Sequence, residues 1–111
     1  MYRALLVNEN AVHAQHLCAT LARRGISVVL APSTEGALSI LRKGSPLFEF
    51  VILAINDRSR TILRSLRELQ RACRQQTFSV GPLFLCISRI QQEPEFQLQI
   101  ERLGARYVVE G

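Results

Sequence analysis

The sequence predicts a three-layer α/β domain, a doubly wound parallel five-stranded sheet with helices on both faces. Two observations lead there. Short apolar runs with the length of buried strands alternate with longer stretches of helical period, the pattern of strands joined by crossover helices. The chain has 111 residues, 48% of them hydrophobic, enough for one core and too few for two.

The elements follow in order. Ala4 to Val7 is an apolar run that turns polar at Asn8 and forms the first strand. A helix is expected over about Asn10 to Arg24, with Val12, Leu17, Cys18 and Leu21 inward and Gly25 as its left-handed stop. Ser27 to Leu30 makes the second strand. Pro32-Ser33-Thr34-Glu35 then opens a helix with a capping hydroxyl, Ala37, Leu38, Ile40 and Leu41 form its apolar face, and Gly44 and Pro46 end it. Phe50 to Ile55 is the third strand. The third helix runs from about Ser59 to Arg74 and buries Ile62, Leu66, Leu69 and Cys73. Leu83 to Ile87 is the fourth strand. Helix four begins near Pro94, a favoured first-turn residue, turns Phe96, Leu98, Ile100 and Leu103 inward and stops at Gly104. Arg106 to Val109 completes the sheet. Both faces of a parallel sheet need cover, so a last helix is expected after strand five and is missing from the chain. The sequence therefore reads as a single domain, residues 1–111, at the start of a longer regulator, or as one whose gap another chain covers.

Composition narrows the function classes. No apolar stretch approaches the ~20 residues of a membrane span, and the N-terminus lacks the extended apolar core of a signal peptide, so a cytoplasmic location is expected. Cys18, Cys73 and Cys86 lack the paired spacing of zinc ligands or a redox dithiol and are read as neutral thiols. The net charge of +5 permits an acidic partner without requiring one. No glycine-rich phosphate loop, nucleophile elbow or dinucleotide fingerprint occurs, the turn after strand one being Asn8-Glu9-Asn10.

Three stretches carry a family resemblance. Val28-Val29-Leu30-Ala31-Pro32-Ser33-Thr34-Glu35-Gly36-Ala37-Leu38, Glu49-Phe50-Val51-Ile52-Leu53-Ala54 and Gly104-Ala105-Arg106-Tyr107-Val108-Val109, in that order and spacing, resemble response-regulator receiver domains. The resemblance implies the CheY-like form of the flavodoxin-like fold, strand order 2-1-3-4-5. It also implies a phosphorylation site built from an aspartate ending strand three, two acidic residues after strand one that hold Mg²⁺, a hydroxyl after strand four and a lysine after strand five. The matching positions here are Ala54, then Asn8 and Glu9, then Ile87, then Glu110. Only Glu9 keeps the family's chemistry, and an alanine methyl cannot form an acyl phosphate. Ser88, one residue past Ile87, and Asp57, three past Ala54 and the only aspartate, are weak substitutes, Asp57 being read as a helix cap. Glu9 and Glu110 are read as two solvated carboxylates at the loop rim in preference to a shared cation site.

Two further features are weighed. Arg60, Arg64, Arg67, Arg71 and Arg74 recur at spacings of four and three, one stripe of helix three opposite its apolar face. The plainer reading is a solvated face with Glu68 paired to Arg64 and Arg71; the alternative is a basic surface for phosphates, weakened by the absence of interleaved aromatics. His13 and His16 share a helix edge without an evident third ligand and are read as surface residues.

These readings point to a pseudo-receiver, a non-enzymatic protein-protein interaction and dimerisation module of bacterial two-component signalling. It needs no cofactor or metal and governs an attached output domain such as a DNA-binding transcription regulator. A homodimer is expected through Phe96, Ile100, Tyr107, Val108 and Val109, with no membrane contact and no direct nucleic-acid binding by this domain. The alternatives are a flavodoxin-like module for a small ligand or nucleotide, and a nucleic-acid-binding domain acting through the helix-three arginines.

Overall fold

In a computed structural model, residues 2–44, 47–56, 61–76 (Gln76 by its backbone only) and 81–110 are described. The elements are β1 (Tyr2–Val7), α1 (Ala11–Arg23), β2 (Ile26–Ala31), α2 (Thr34–Arg42), β3 (Phe50–Ile55), α3 (Thr61–Gln76), β4 (Leu83–Ser88), α4 (Pro94–Arg102) and β5 (Arg106–Val109). The strands form one sheet in the order β2-β1-β3-β4-β5, every neighbouring pair parallel, as the resemblance implies. Pro46, Asp57, Ser59 and Arg60 lie outside the described residues.

The two faces of the sheet are unequally covered. On one, Leu5, Val7, Val51, Leu53, Ile55, Phe84 and Cys86 pack under all three of α2, α3 and α4, which contribute Leu38, Leu41, Leu66, Leu69, Phe96 and Ile100. On the other, Ala4, Leu6 and Ile52 lie beneath Ala14 and Leu17 of α1. Further along that face Leu85 and Ile87 are half-buried, and Leu83 and Val108 are exposed. Burial pushes all three thiols up, Cys86 to about 12, as expected of neutral cysteines surrounded by apolar atoms.

Local signals set the helix ends. Asn10 caps α1, its Oδ1 accepting from the His13 N–H at 3.0 Å, and Ser33 caps α2 through Gly36 at 3.0 Å. Gly25 takes φ of 78° after α1, a backbone state that costs an L side chain energy.

Two residues expected inside are outside. Val12 is 79% exposed and Leu98 45%. In α1 the buried residues are His13, Ala14 and Leu17, and at 100° per residue Val12 stands about 140° from Leu17. In α4, Leu98 is about 160° from Phe96 in the same way. The sheet sees the stripe containing Phe96 and Ile100.

Candidate functional site

The loops beyond the strand C-termini gather the positions that the resemblance singles out. Asn8 directly follows β1 and is 2% exposed. Its Oδ1 accepts from the Asn10 N–H and from Asn56 Nδ2, both at 3.0 Å, which leaves its own Nδ2 facing His13 Nδ1 at 3.1 Å. An amide nitrogen only donates, so Nδ1 is the acceptor and the ring hydrogen sits on Nε2. That Nε2–H donates to Glu110 Oε2 at 2.7 Å. A chain of hydrogen bonds thus ties the loop after β3 to the loop after β1, to α1 and to the residue after β5.

This corrects two expectations. His13 is buried, because helix phase turns it toward the sheet beside Ala14 and Leu17, whereas His16 is exposed. Glu110 is not a solvated partner of Glu9; its backbone N–H donates to Ser88 O at 2.7 Å and its carboxylate is held by His13.

The end of β3 offers a methyl group. Ala54 pairs in register with Ile87 of β4 and lines a cavity of about 70 Å³ with Glu9, Asn56, Thr34 of α2 and Thr61, Ile62 and Ser65 of α3. Thr34 Oγ1 donates to Ser65 Oγ across it at 2.8 Å. The donor set does not fit Mg²⁺, which requires near-octahedral oxygen coordination. Asn8 spends its oxygen on two N–H groups, Glu110 is engaged elsewhere, and among the described residues no group of three His, Cys, Asp or Glu side chains is placed to hold a metal.

The hydroxyl at the end of β4 is also occupied. Ser88 is fully buried, donates to Ile90 O and accepts from Gln92 Nε2 at 3.1 Å. Tyr107 of β5 accepts the Gln92 N–H at 2.8 Å, and Gln97 Nε2 donates to Gln92 O at 2.6 Å. The loop between β4 and α4 is therefore held closed by its own polar groups and by β5.

A second, open cavity of about 460 Å³ lies nearby, lined by Asn10, Val12, His13, His16, Arg89 and Glu110. Away from the strand ends, Arg64, Arg67, Arg71 and Arg74 are all exposed on α3. Among the described residues the contact between an acid and a basic side chain is the His13–Glu110 hydrogen bond, so the expected Glu68 pairs do not form. Of the residues expected at a dimer interface, Phe96 and Ile100 are spent in the core, Tyr107 is half-buried, and Val108 and Val109 are 38% and 42% exposed.

The sequence singled out Asn8, Glu9, Ala54, Ile87 and Glu110 and did not point to the hydrogen bonds made by His13, Asn56, Gln92 and Tyr107. The cap spacing from Asn10 to His13 was the one available sign that His13 starts a helix at the strand ends.

No protein-family profile matches the chain, and no curated protein matches it in sequence. Solved structures do match in fold. A response regulator from Burkholderia pseudomallei, solved with a phosphorylated aspartic acid, a calcium ion and citrate, is 22% identical over 99% of this chain with a TM-score of 0.74. This chain spans 60% of that protein's length. Chemotaxis protein CheY4 of Vibrio cholerae is 21% identical, with 97% of this chain and 84% of that one covered and a TM-score of 0.76. A response regulator from Thermotoga maritima is 15% identical, with 99% and 85% covered and a TM-score of 0.77. The likeness is one of fold: this chain has the CheY-like receiver fold.

Proposed function

We propose that this domain is a pseudo-receiver, a regulatory protein-protein interaction module that works without aspartyl phosphorylation. The observation that carries the reading is Ala54, whose methyl lines the small cavity at the end of β3 where a phosphorylatable receiver needs a carboxylate nucleophile. The surroundings agree. Ser88 has its hydroxyl committed on both sides, and at the position after β5 a carboxylate stands bonded to histidine where a lysine would attract a phosphoryl group. A loop already latched by Gln92 and Tyr107 fits a domain held in one signalling state. Such a module acts by its surfaces in the cytoplasm, has no catalytic activity of its own, pairs with a second copy and governs an attached output domain, for example a DNA-binding one.

Incubation with acetyl phosphate and Mg²⁺ followed by intact mass measurement tests this reading. No gain in mass is expected. A stoichiometric gain of one phosphate, mapped by peptide analysis to Asp57, would sink it.

The open cavity between α1 and β5 favours one alternative, a small-ligand module, because Arg89 and His16 stand there beside the His13–Glu110 pair. A ligand retained by the purified protein and released on denaturation would support it.

A further inference from the structure

In a parallel sheet each crossover helix returns to the end where the strands begin. The C-termini of α1 to α4 and the first residues of β1 to β5 therefore share one end of this molecule. The basic residues collect there. Arg23 and Arg24 close α1, and Arg42 and Lys43 close α2. Arg71 and Arg74 lie in the last two turns of α3, and Arg102 ends α4. Arg3 and Arg106 stand at the starts of β1 and β5. All nine are exposed, out of fourteen lysines and arginines in the chain.

Local roles do not use up this charge. One basic residue in the last turn complements a helix dipole, and Arg23, Arg42, Arg74 and Arg102 serve there. Arg3, Arg24, Lys43, Arg71 and Arg106 exceed that need. Four helix C-termini bring about half a negative charge each, far short of nine cations. The carboxylates at this end are Glu49 and Glu101, and Glu49 accepts the backbone N–H of Arg3 at 3.2 Å. Among the described residues no cation at this end pairs with a carboxylate, the His13–Glu110 hydrogen bond being at the other.

Against the expectation that this domain makes no direct nucleic-acid contact, we propose that this strand-start end binds the phosphate backbone of a nucleic-acid duplex without reading its sequence. Eight of the nine cations are arginines, whose planar fork grips phosphate oxygens in pairs. Five strands at about 4.8 Å make a sheet about 19 Å wide, and a duplex carries one charge per about 1.7 Å of axis with both strands counted, so such a footprint runs along about eleven phosphates, about half of them on the side that faces it. Single strands are bound on stacking aromatics, and among the described residues the exposed aromatic nearby is Tyr2, turned along the open sheet face with its ring edge-on to Phe50. An anionic bilayer would attract the same cations, but peripheral attachment also uses inserted apolar side chains. Among the described residues Leu47 is the exposed apolar side chain of this end that does not belong to the open sheet face.

The test is fluorescence anisotropy of the intact chain with a labelled 20-base-pair duplex of arbitrary sequence across a salt series. Contact with four or more phosphates gives a slope of about −3.6 or steeper in log affinity against log salt. The pairs Arg23→Glu with Arg24→Glu, and Arg71→Glu with Arg74→Glu, are each expected to weaken binding at least about tenfold and to flatten the slope by about 1.8. Arg89→Glu, at the opposite end, is expected to change it less than about twofold. If a pair fails to fold by circular dichroism, the corresponding Arg→Gln pair replaces it, and the slope of the unaltered chain stands regardless. The proposal is overturned by absence of duplex binding at 50 mM salt, by an Arg89→Glu loss equal to that of the pairs, or by tighter binding at equal salt to a single strand, to phosphatidylserine vesicles or to poly-glutamate.

Discussion

At the scale of single residues, the site is governed by which polar atoms are already spoken for. Asn8 accepts twice through its oxygen, so its nitrogen must face His13, and that single constraint fixes the tautomer that presents an N–H to Glu110. Removing the carboxylate leaves a donor on a nearly buried ring without its acceptor, which costs about 1–3 kcal/mol. Glu110→Ala is therefore expected to lower unfolding free energy in urea by about 1–2 kcal/mol, discounted because Glu110 is partly open to water. Glu110→Gln keeps an acceptor oxygen and should lose less than half as much. Equal losses from the two variants would mean that the hydrogen bond contributes nothing beyond packing.

Secondary elements show how far local chemistry reaches. The ends of α1 and α2 follow from Asn10, Ser33 and Gly25, residues whose side chains or backbone freedom act within one turn. The inward faces were less legible: Val12 and Leu98 are apolar yet exposed, and His13 is polar yet buried. Helix phase is set by the sheet it lies on, and a thirteen-residue helix with alanines, histidines and glutamine along it offers no unbroken apolar stripe to announce that phase. The cap can be tested independently. Asn10→Ala is expected to destabilise the fold by about 1 kcal/mol in thermal or urea unfolding, and Asn10→Asp by much less, since the carboxylate still accepts from the His13 N–H. A loss below about 0.3 kcal/mol for the alanine variant would show that the cap in α1 is dispensable.

For the molecule as a whole, the two faces of the sheet behave differently. One is sealed by three helices, while on the other α1 covers Ala4, Leu6 and Ile52 and leaves Leu83 and Val108 exposed. Burying apolar surface gains about 25 cal/mol per Å², and two-fold pairing makes one patch available to both copies. A homodimer is thus expected to use Val108 and Val109 of the edge strand β5, together with the exposed Leu98 of α4, in place of Phe96 and Ile100. Light scattering over a concentration series should show a dimer by the high micromolar range. Val108→Glu and Leu98→Glu, both at exposed positions, should fold and remain monomeric. A parent chain that stays monomeric, or variants that pair equally well, would refute this interface.

The sequence by itself determined the fold class, the order of nine elements, most of their boundaries and the chemical character of the strand-end positions. These depend on apolar period, caps and glycines, which act over a few neighbouring residues. Tertiary structure alone decided that His13 meets Glu110, ninety-seven residues away, and that the Asn56 amide donates to the side-chain oxygen of Asn8. It also decided the charge distribution. Read along the chain, the arginines of α3 form the one evident basic stripe and the others look scattered. Parallel strands and returning helices bring the ends of four helices and the starts of two strands to one end, so residues as distant as Arg3 and Arg106 come to the same end of the molecule.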